Sequence, residues 1–459
     1  MKACRTIIYC GFAQWAWLLG IAWMGLFPVD AVAQATIPED TVKHDFLKDI
    51  PIGPGTLDIS GSLRLRGEWL DHFTIHEYGE GESDQVLLER VRLNLDYQYS
   101  RRWHAFVQLQ DAHYWLSDLQ LEDFGPVCSY QNPLDLREAY IEWKRDEDSW
   151  FGYKLGRQTI TYRDGRVWGP GDWGNTGRYT WDAAKLYVDT EFLDTDLIAA
   201  KQVISEKNHF DDSHCDFNAY GIYSRTKNWP VDLDVFYILK YDNEGIPNPS
   251  GGFGDLQSHA AGMYAGGQFG NHLDWAFLGA YQFGKRADND IEAVGLNMQL
   301  GYTWDVSWKP RLGVEYTYAS GDNNPQDGKY QTFDGLFGGI DRFYGRMNFF
   351  SWMNLQDYQV SFNVRPVKQL MISVDYHSFY LASNQDAWYY GNARRMRQDA
   401  SGKSGSHIGE EVDLLATWKM NPQVEIFSGY AHFFPGSFLA DTGYHEEADW
   451  IFLQATWTF

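Results

Sequence analysis

Long apolar runs are scarce in this 459-residue sequence, whose mean hydropathy is −0.45. A bundle of transmembrane helices needs several runs of about 20 apolar residues, so that class is excluded. Positive charge is also scarce, because 38 Lys and Arg stand against 62 Asp and Glu for a net charge of −24. Nucleic-acid binders are usually basic because they neutralise phosphates, so this function class is disfavoured too.

Aromatic residues, in contrast, are abundant. They make up 17% of the chain, with 20 Trp, 29 Tyr and 28 Phe. A disordered acidic protein would lack them, since it cannot bury apolar surface. The length fits two or three soluble domains or one large β architecture.

The N-terminus has the features of an export signal. Lys2 and Arg5 precede an apolar stretch over 6–27, and Ala31 and Ala33 form a small-residue cleavage site. The alternative is an uncleaved anchor helix, because the apolar stretch is long for a signal. We expect a signal peptide over 1–33, a short periplasmic segment over 34–56 and the main body over 57–459.

Few cysteines remain after the predicted cleavage. Of the four in the chain, Cys4 and Cys10 leave with the signal, and Cys128 and Cys215 stay. Two cysteines can pair in an exported protein, but they cannot form a disulfide framework. The mature chain would hold 36 basic and 61 acidic residues, a net charge of −25.

After Leu57 the dominant period is two, which indicates β-strands. In the last segment Ile451, Leu453, Ala455, Trp457 and Phe459 share one face. Eighteen such segments occur, near 61–69, 86–99, 102–111, 134–144, 151–161, 181–190, 195–203, 217–226, 230–241, 258–269, 272–283, 292–304, 308–319, 355–365, 368–380, 408–419, 421–433 and 447–459.

Three features distinguish a membrane barrel from a soluble sandwich. The segments are about 10 residues long, enough for a tilted strand to cross a bilayer. Aromatic residues concentrate at their ends, as interfacial girdles require. Short links such as Ser100-Arg101 alternate with long ones such as 71–85, 112–133, 320–354 and 381–407. We therefore predict an all-β, transmembrane antiparallel β-barrel of about 18 strands, with short periplasmic turns, long extracellular loops and an aqueous lumen.

Three stretches resemble the alginate export family of outer-membrane barrels. They are LGRQTITYRDGRVWGPGDWGNTGRYTWDAAKL over 155–186, VDYHSFYLASNQDAWYY over 374–390 with GEEVD over 409–413, and GYAHFFPG over 429–436. One departure is the spacing of Gly177-Arg178 from Trp181-Asp182, which is longer than in the family and uses Trp where the family has Phe. The resemblance implies an 18-stranded barrel with an Arg-lined constriction that attracts a polyuronate.

Basic residues on the polar faces are the candidates for the substrate path. Arg suits a carboxylate substrate because its fork binds bidentately and it stays protonated. Together with Asp182 of the family-like segment, the candidate lumen residues are Arg64, Arg66, Arg90, Arg92, Lys154, Arg157, Arg166, Arg178, Asp182, Lys185, Arg311 and Arg365. Arg163 lies in the same segment.

A structural interpretation of these basic residues stays open. Glu68, Asp96, Glu138, Glu142 and Asp189 face the same way, so the charges could form paired ladders along the wall. A second loop, with Asp386, Arg394, Arg395 and Arg397, is either a gate or a solvated loop.

Catalytic and metal-binding functions find little support. His377 and Ser378 are adjacent in a strand and so point to opposite faces, which disfavours an esterase. We see no metal-ligand spacing and no Gly-rich phosphate loop, and nothing supports Ca²⁺ at the acidic loops. We expect neither cofactor nor enzyme activity.

The leading hypothesis is an outer-membrane channel for an anionic polysaccharide or its sugar-acid oligomers. The alternative is a general diffusion porin for small solutes. A barrel enzyme acting on lipids and a passive adhesin are the remaining hypotheses. Outer-membrane lipid and periplasmic export proteins are the other expected partners, and nucleic acid is not expected.

Overall fold

The computed structural model describes residues 45–124, 128–143, 150–207, 210–247, 253–339 and 342–459. The predicted signal peptide and the first part of the predicted periplasmic segment lie outside these residues. Cys128 is buried as a free thiol, whereas the side chain of Cys215 lies outside the described part.

Eighteen antiparallel strands form one closed sheet, as the period-two segments predict. They are β1 Gly55–Phe73, β2 Tyr78–Gln98, β3 Trp103–Trp115, β4 Asn132–Trp143, β5 Phe151–Gln158, β6 Trp181–Asp189, β7 Leu193–Ile204, β8 Asp212–Thr226, β9 Asp232–Pro247, β10 Phe253–Phe269, β11 Leu273–Arg286, β12 Asn289–Thr303, β13 Arg311–Ala319, β14 Leu355–Val367, β15 Leu370–Tyr380, β16 His407–Lys419, β17 Val424–Pro435 and β18 Ala448–Thr458. Each strand pairs with its neighbours in sequence, and β18 pairs with β1.

A few short elements accompany the barrel. They are strands Ile50–Ile52, Lys329–Tyr330, Trp388–Tyr389 and Arg395–Arg397, the 3-10 turn Asp45–Leu47 and the α-helix Ser437–Thr442. Ile50–Ile52 pairs with Gly55, Thr56 and Leu57 at the start of β1. Within the described residues, no helix is long and apolar enough to cross a membrane.

The C-terminus closes the barrel through Gly61. Its N–H donates to the carbonyl of Phe459 at 3.2 Å, and the Phe459 N–H returns a bond of 3.1 Å. A Cβ on Gly61 would lie 2.7 Å from the Phe459 ring, so only glycine leaves room for this ring. The backbone groups at both strand edges are thereby hydrogen-bonded. In a membrane, an open edge would leave such groups without partners.

The two faces of the wall differ as the alternation predicts. Outward side chains such as Leu65, Val91, Val235, Leu300 and Leu453 are 38–51% exposed, which is an apolar surface for lipid. Inward positions hold polar, charged and aromatic residues.

The connections at one end of the barrel include the four longest, over 116–131, 159–180, 320–354 and 381–406. The predicted long loop over 71–85 is instead a tight hairpin, because β1 runs to Phe73 and β2 begins at Tyr78. That alternating stretch continues the ladder beyond the expected strand ends. Which end faces the cell exterior stays a prediction.

The core of the protein lies inside the barrel. Aromatic residues of the inward connections pack on inward wall residues: Phe350 stacks on Phe379 at 3.9 Å, and Phe349 meets Phe433 at 5.0 Å. Trp168 meets Trp181 of β6 at 5.4 Å. These connections therefore fill part of the lumen and decide how much of it stays open.

Candidate functional site

The constriction segment, residues 159–180, leaves β5 and crosses the lumen before β6. Its three anchoring regions reach different walls: Arg163 contacts β9, Arg166 contacts β13, and the tip over 172–175 meets β1 and β2. Since these strands lie on different sides of the barrel, the segment narrows the lumen from within.

Arg64 and Arg90 hold the tip through its backbone. Arg64 donates to the carbonyl of Asp172 at 3.1 Å, to that of Gly174 at 3.2 Å and to Asn175 Oδ1 at 3.2 Å. Arg90 donates to the same two carbonyls at 3.1 and 3.4 Å. The two side chains are buried under the segment, at 5% and 9% exposure. They therefore act as anchors of the segment.

Three further arginines complete this group. Arg66 donates to the Trp173 carbonyl at 2.8 Å, lies 3.9 Å from the centre of the Trp173 ring and pairs with Glu68 at 2.6 Å. Arg92 and Arg137 contact the Asp172 carboxylate at 2.9 and 3.5 Å. We call Arg64, Arg66, Arg90, Arg92 and Arg137 the arginine group.

Asn175 is the most completely buried polar residue of the tip. Its Nδ2 lies 2.9 Å from the carbonyls of Glu89 and His113 and 2.8 Å from that of Tyr130. Its Oδ1 accepts from Arg64. One amide thus joins the tip to β2, β3 and the connection before β4.

Backbone shape at the tip depends on Gly177. Its φ of +80° is disfavoured for other residues, and a Cβ there would lie 2.5 Å from Arg137 Nη2. The Gly-Asn-Thr-Gly sequence therefore allows the segment to turn back directly over the arginine group.

The arginine group leaves positive charge at the constriction. Carbonyl oxygens accept hydrogen bonds from Arg64, Arg66 and Arg90 but do not neutralise their charge, and the five guanidiniums of the group directly contact only two carboxylates among the described residues, Asp172 and Glu68. Removal from bulk water raises the pKa of Asp172, but the charges of Arg92 and Arg137 outweigh it and hold this pKa below its usual range. Asp172 is 46% exposed and remains ionised beside a cationic surface.

The first half of the constriction segment is held by ion pairs. Arg163 Nε donates to Asp234 at 2.6 Å, and Tyr223 donates to the same carboxylate at 2.8 Å. Arg166 donates to Glu315 at 2.7 Å, and its guanidinium lies 4.2 Å from the centre of the Phe343 ring. These cations are neutralised in place.

A second inward connection, over 320–354, is hydrogen-bonded to the constriction segment. Phe337 N–H donates to the Val167 carbonyl, and Gly169 N–H returns to the Phe337 carbonyl, both at 3.0 Å. The Trp168 and Phe337 rings pack at 4.9 Å. The two connections form one unit inside the barrel.

Lys240 of β9 anchors this second connection. It pairs with Asp334 at 2.9 Å and donates to the Leu336 carbonyl at 2.8 Å. Burial raises the pKa of Asp334, but Lys240 outweighs it, and the pKa lies below its usual range. A lowered carboxyl pKa stabilises the fold at pH values above the unfolded pKa, and this stability is lost as the pH falls through the folded pKa.

We expect Lys240→Met to lower the free energy of unfolding by about 3 kcal/mol at pH 7, because it leaves Asp334 without its ion partner. The difference between variant and wild type should be largest near pH 7 and should shrink as the pH falls, because the Asp334 left without Lys240 takes up a proton. Urea unfolding followed by tryptophan fluorescence measures both. The control Lys285→Met removes an exposed pair with Asp290 and should cost at most about 1 kcal/mol. Equal effects of the two changes would contradict the anchoring role.

The structure places the other predicted residues in several environments. Lys154 lies 3.6 Å from the centre of the Tyr140 ring, and Lys185 pairs with Asp196 at 2.9 Å, both on the inner wall. Arg311 pairs with Asp274 at 2.6 Å. Arg365 is exposed near the Val367–Leu370 turn, with Nη2 4.0 Å from Met371 Sδ.

Arg157 and Asp182 lie away from the lumen. They are opposite each other in the β5–β6 ladder and form a bidentate pair at 2.9 and 3.1 Å. Strand alternation puts them on the face of Leu155 and Leu186, whose side chains are 39% and 42% exposed.

Arg178 differs from the other predicted cations. It donates to the Gly391 carbonyl at 3.2 Å and lies 5.1 Å from the centre of the Tyr179 ring. Within the described part of the chain, no ion pair to a carboxylate is formed. Arg178 is partly exposed and joins the constriction segment to the connection over 381–406.

Sequence reasoning missed Arg137. Gln108 pairs with Glu138 and Leu109 with Leu136, so Arg137 is the extra residue of a β-bulge. The bulge turns its side chain inward, whereas strict alternation puts it on the lipid face with Ala139 and Ile141. The sequence signal that could have identified Arg137 is its position as a single Arg on an otherwise apolar strand face.

Side chains of the second predicted loop and of the His-Ser pair make contacts within the protein. Arg394 pairs with Glu77 at 2.9 Å, Arg397 donates to the Tyr444 carbonyl at 2.6 Å, and Asp386 accepts from the Asp322 N–H at 2.9 Å. His377 is 2% exposed and bonds to Asp357 at 3.0 Å. No cluster of three or more His, Cys, Asp or Glu side chains suited to a metal ion occurs among the described residues.

Comparisons with known proteins agree with this architecture. The family model described as "Alginate export" matches residues 56–451. Solved structures with a similar fold include Pseudomonas aeruginosa OpdQ (TM-score 0.59, 13% identity, 88% of this chain and 97% of that chain covered). Others are P. aeruginosa OccK8 (OprE) (0.57, 12%, 88% and 98%) and Acinetobacter baumannii OccAB2 (0.57, 12%, 87% and 98%). No curated protein matches.

Proposed function

Because the chain belongs to the alginate export family and is an outer-membrane β-barrel channel, we propose that its lumen passes an anionic polysaccharide or its sugar-acid oligomers. The process requires no bond chemistry. A polyanion needs several favourable but weak positions along the path, so that it can both enter and leave.

The observation that carries this proposal is the charge surplus at the constriction. Five guanidiniums surround the tip of the constriction segment, and backbone carbonyls take up most of their hydrogen bonds. Charges in a narrow passage with low-dielectric walls raise the local concentration of counter-ions. An anionic sugar chain would therefore be attracted without binding each arginine tightly.

Arg178 supports the same proposal from a different position. Its charge is partly exposed and joined to a carbonyl, so it can contact a passing carboxylate directly. The arginine group then supplies the field, and Arg178 supplies a contact that exchanges readily.

A diffusion porin for small solutes is the second candidate. It is favoured by the burial of Arg64, Arg66 and Arg90, which are 2–9% exposed and are engaged in holding the segment. In that case the arginine group serves to shape the pore, and the fold likeness to the Occ proteins supports this candidate equally.

Planar-bilayer recording separates the two candidates. We expect an anion-preferring channel that oligouronate blocks at about a tenfold lower concentration than a neutral glucan of equal length. This factor corresponds to a difference of about 1.4 kcal/mol in binding free energy. Arg178→Gln should weaken the oligouronate block and leave the glucan block unchanged. A cation-preferring conductance that oligouronate does not alter would refute the polysaccharide proposal and leave the porin candidate.

A further inference from the structure

The side chain and the backbone of Asp172, at the tip of the constriction segment, are held by different arginines. Its carboxylate oxygens lie 2.9 Å from Arg92 Nη2, 3.5 Å from Arg92 Nη1 and 3.5 Å from Arg137 Nη2. Its carbonyl accepts from Arg64 and Arg90 instead. The carboxylate can therefore leave its two arginines while the backbone of the tip stays anchored.

Arg92 is oriented for a carboxylate by its own neighbours. Its Nε donates to Gln110 Oε1 at 2.8 Å, and Gln110, which is 1% exposed, donates in turn to the Thr176 carbonyl at 2.9 Å. Both terminal nitrogens of Arg92 are thereby directed at the Asp172 oxygens. A guanidinium fork held in this way matches the two oxygens of a carboxylate.

Arg137 adds a donor that Asp172 does not satisfy. The Arg137 side chain is 8% exposed, and its Nη2 is buried without a hydrogen-bond partner among the described residues. The Asp172 oxygen 3.5 Å away is close enough for an ion pair but too far for a good hydrogen bond. A buried donor without an acceptor is costly, so a carboxylate that approached both arginines closely would bind here better than Asp172 does.

Asp172 lies between these two guanidiniums and the open lumen. Its side chain is 46% exposed, whereas the side chain of Arg92 beneath it is 13% exposed. A carboxylate in the lumen can therefore approach the same position from the open side. The carboxylate of the protein itself occupies the place that a substrate carboxylate would take.

We propose that Arg92 and Arg137 form a carboxylate subsite of the substrate path, and that Asp172 is an exchangeable occupant which the carboxylate of a passing uronate displaces. This inference rests on the proposed passage of an anionic polysaccharide and assigns the contacts that recognise it at the constriction. Because Asp172 competes with each incoming carboxylate, the substrate is bound weakly enough to leave again, as conduction requires. The next carboxylate of the polymer, or Asp172 itself, then takes the vacated position.

Planar-bilayer recording with oligouronate tests the subsite. We expect Asp172→Asn to be blocked at about a tenfold lower concentration than the wild type, because a neutral amide competes less well than a carboxylate for a charged donor. In about 1 M salt the Debye length is about 3 Å, so charges that do not touch the sugar are screened. The matched control Glu68→Gln adds the same charge beside Arg66 but leaves the subsite occupied, so it should be blocked as the wild type is.

A second change separates a subsite from a purely structural role of Asp172. Arg92→Gln should weaken the block, and adding Asp172→Asn to it should bring no gain, because the fork of the subsite is lost. The conductance without sugar should be the same in Asp172→Asn and the wild type, since the backbone of the tip stays anchored. A higher conductance together with a weaker block would show that Asp172 only holds the tip, and it would overturn the subsite. An equal gain in Glu68→Gln would overturn it too.

Failure of the transport proposal gives a different result. If oligouronate blocks Asp172→Asn but not the wild type, then the subsite stands and passage through the native channel is refuted. If oligouronate blocks neither channel, then both proposals are refuted. If it blocks both channels at the same concentration, then only the subsite is refuted.

Discussion

Replacing Arg64 and Arg90 together by lysine is expected to raise the single-channel conductance at least about twofold while the preference for anions persists, since pore width and lumen charge act separately. Arg64 bonds the carbonyls of Asp172 and Gly174 through its two terminal nitrogens, and Arg90 bonds both carbonyls through Nη1. A lysine ammonium keeps the charge but cannot reproduce this planar geometry. Each lost hydrogen bond to a charged donor is worth about 1.5–3 kcal/mol, so the tip of the segment should detach and widen the passage.

Two companion variants make this result decisive. Replacing both residues by alanine should raise the conductance similarly and also reduce the anion preference, because the charge is removed. Arg311→Lys, at a pair with Asp274 that does not touch the constriction segment, should leave conductance unchanged. If the double lysine variant conducts as the wild type does but binds oligouronate more weakly, then these arginines contact substrate directly and the anchoring role fails.

Asn175→Asp is expected to lower the free energy of unfolding by about 3 kcal/mol, because it places a buried carboxylate oxygen against three carbonyl oxygens with no donor between them. The change is nearly isosteric, but it replaces the donor that faces three carbonyls with a second acceptor. The contact from Arg64 to Oδ1 survives and offsets only part of the loss. Urea unfolding followed by tryptophan fluorescence gives the free energy, and conductance fluctuations report whether the tip still docks.

Asn94→Asp is the matched control for this variant. Asn94 lies on the same strand as Arg90 and exchanges bonds with Ser60 and Gln108 at 3.1 and 2.8 Å, but it is only partly buried. Its substitution should cost less than about 1 kcal/mol, as is usual away from buried networks. Comparable losses at both positions would show that Asn175 has no special role in docking the segment.

The candidate site was foreseeable in part. Alternation along β1 and β2 puts Arg64, Arg66, Arg90 and Arg92 on the polar face, and all four lie at the constriction. Alternation fails at Arg137, because a bulge adds one residue to β4 and reverses the side-chain direction. Alternation also does not predict the partners of these arginines. Those partners are backbone carbonyls of a distant segment, and every residue type carries a backbone carbonyl.

The ion pairs of the barrel were also foreseeable only in part. The sequence left open that acidic residues on the polar faces pair with the basic ones, and Arg66 does bond Glu68 two residues along its own strand. The other partners come from far away in the chain, as with Lys240 and Asp334 or Arg166 and Glu315. Ion pairs within a strand follow from local spacing, whereas those between a loop and the wall depend on where the loop folds.

The approximate number of strands, the two faces of the wall and the β-barrel class could be predicted from the residue pattern alone. These properties follow from a period of two, from strand length and from the requirement that backbone groups in lipid bond within a closed sheet. The width of the lumen and the contacts of the arginines there could not be predicted in this way, because they depend on long-range packing. The contacts that decide it join residues far apart, such as Arg64 and Gly174, which are 110 positions from each other. Such contacts depend on how the connections fold inside the closed barrel, so no local pattern specifies them.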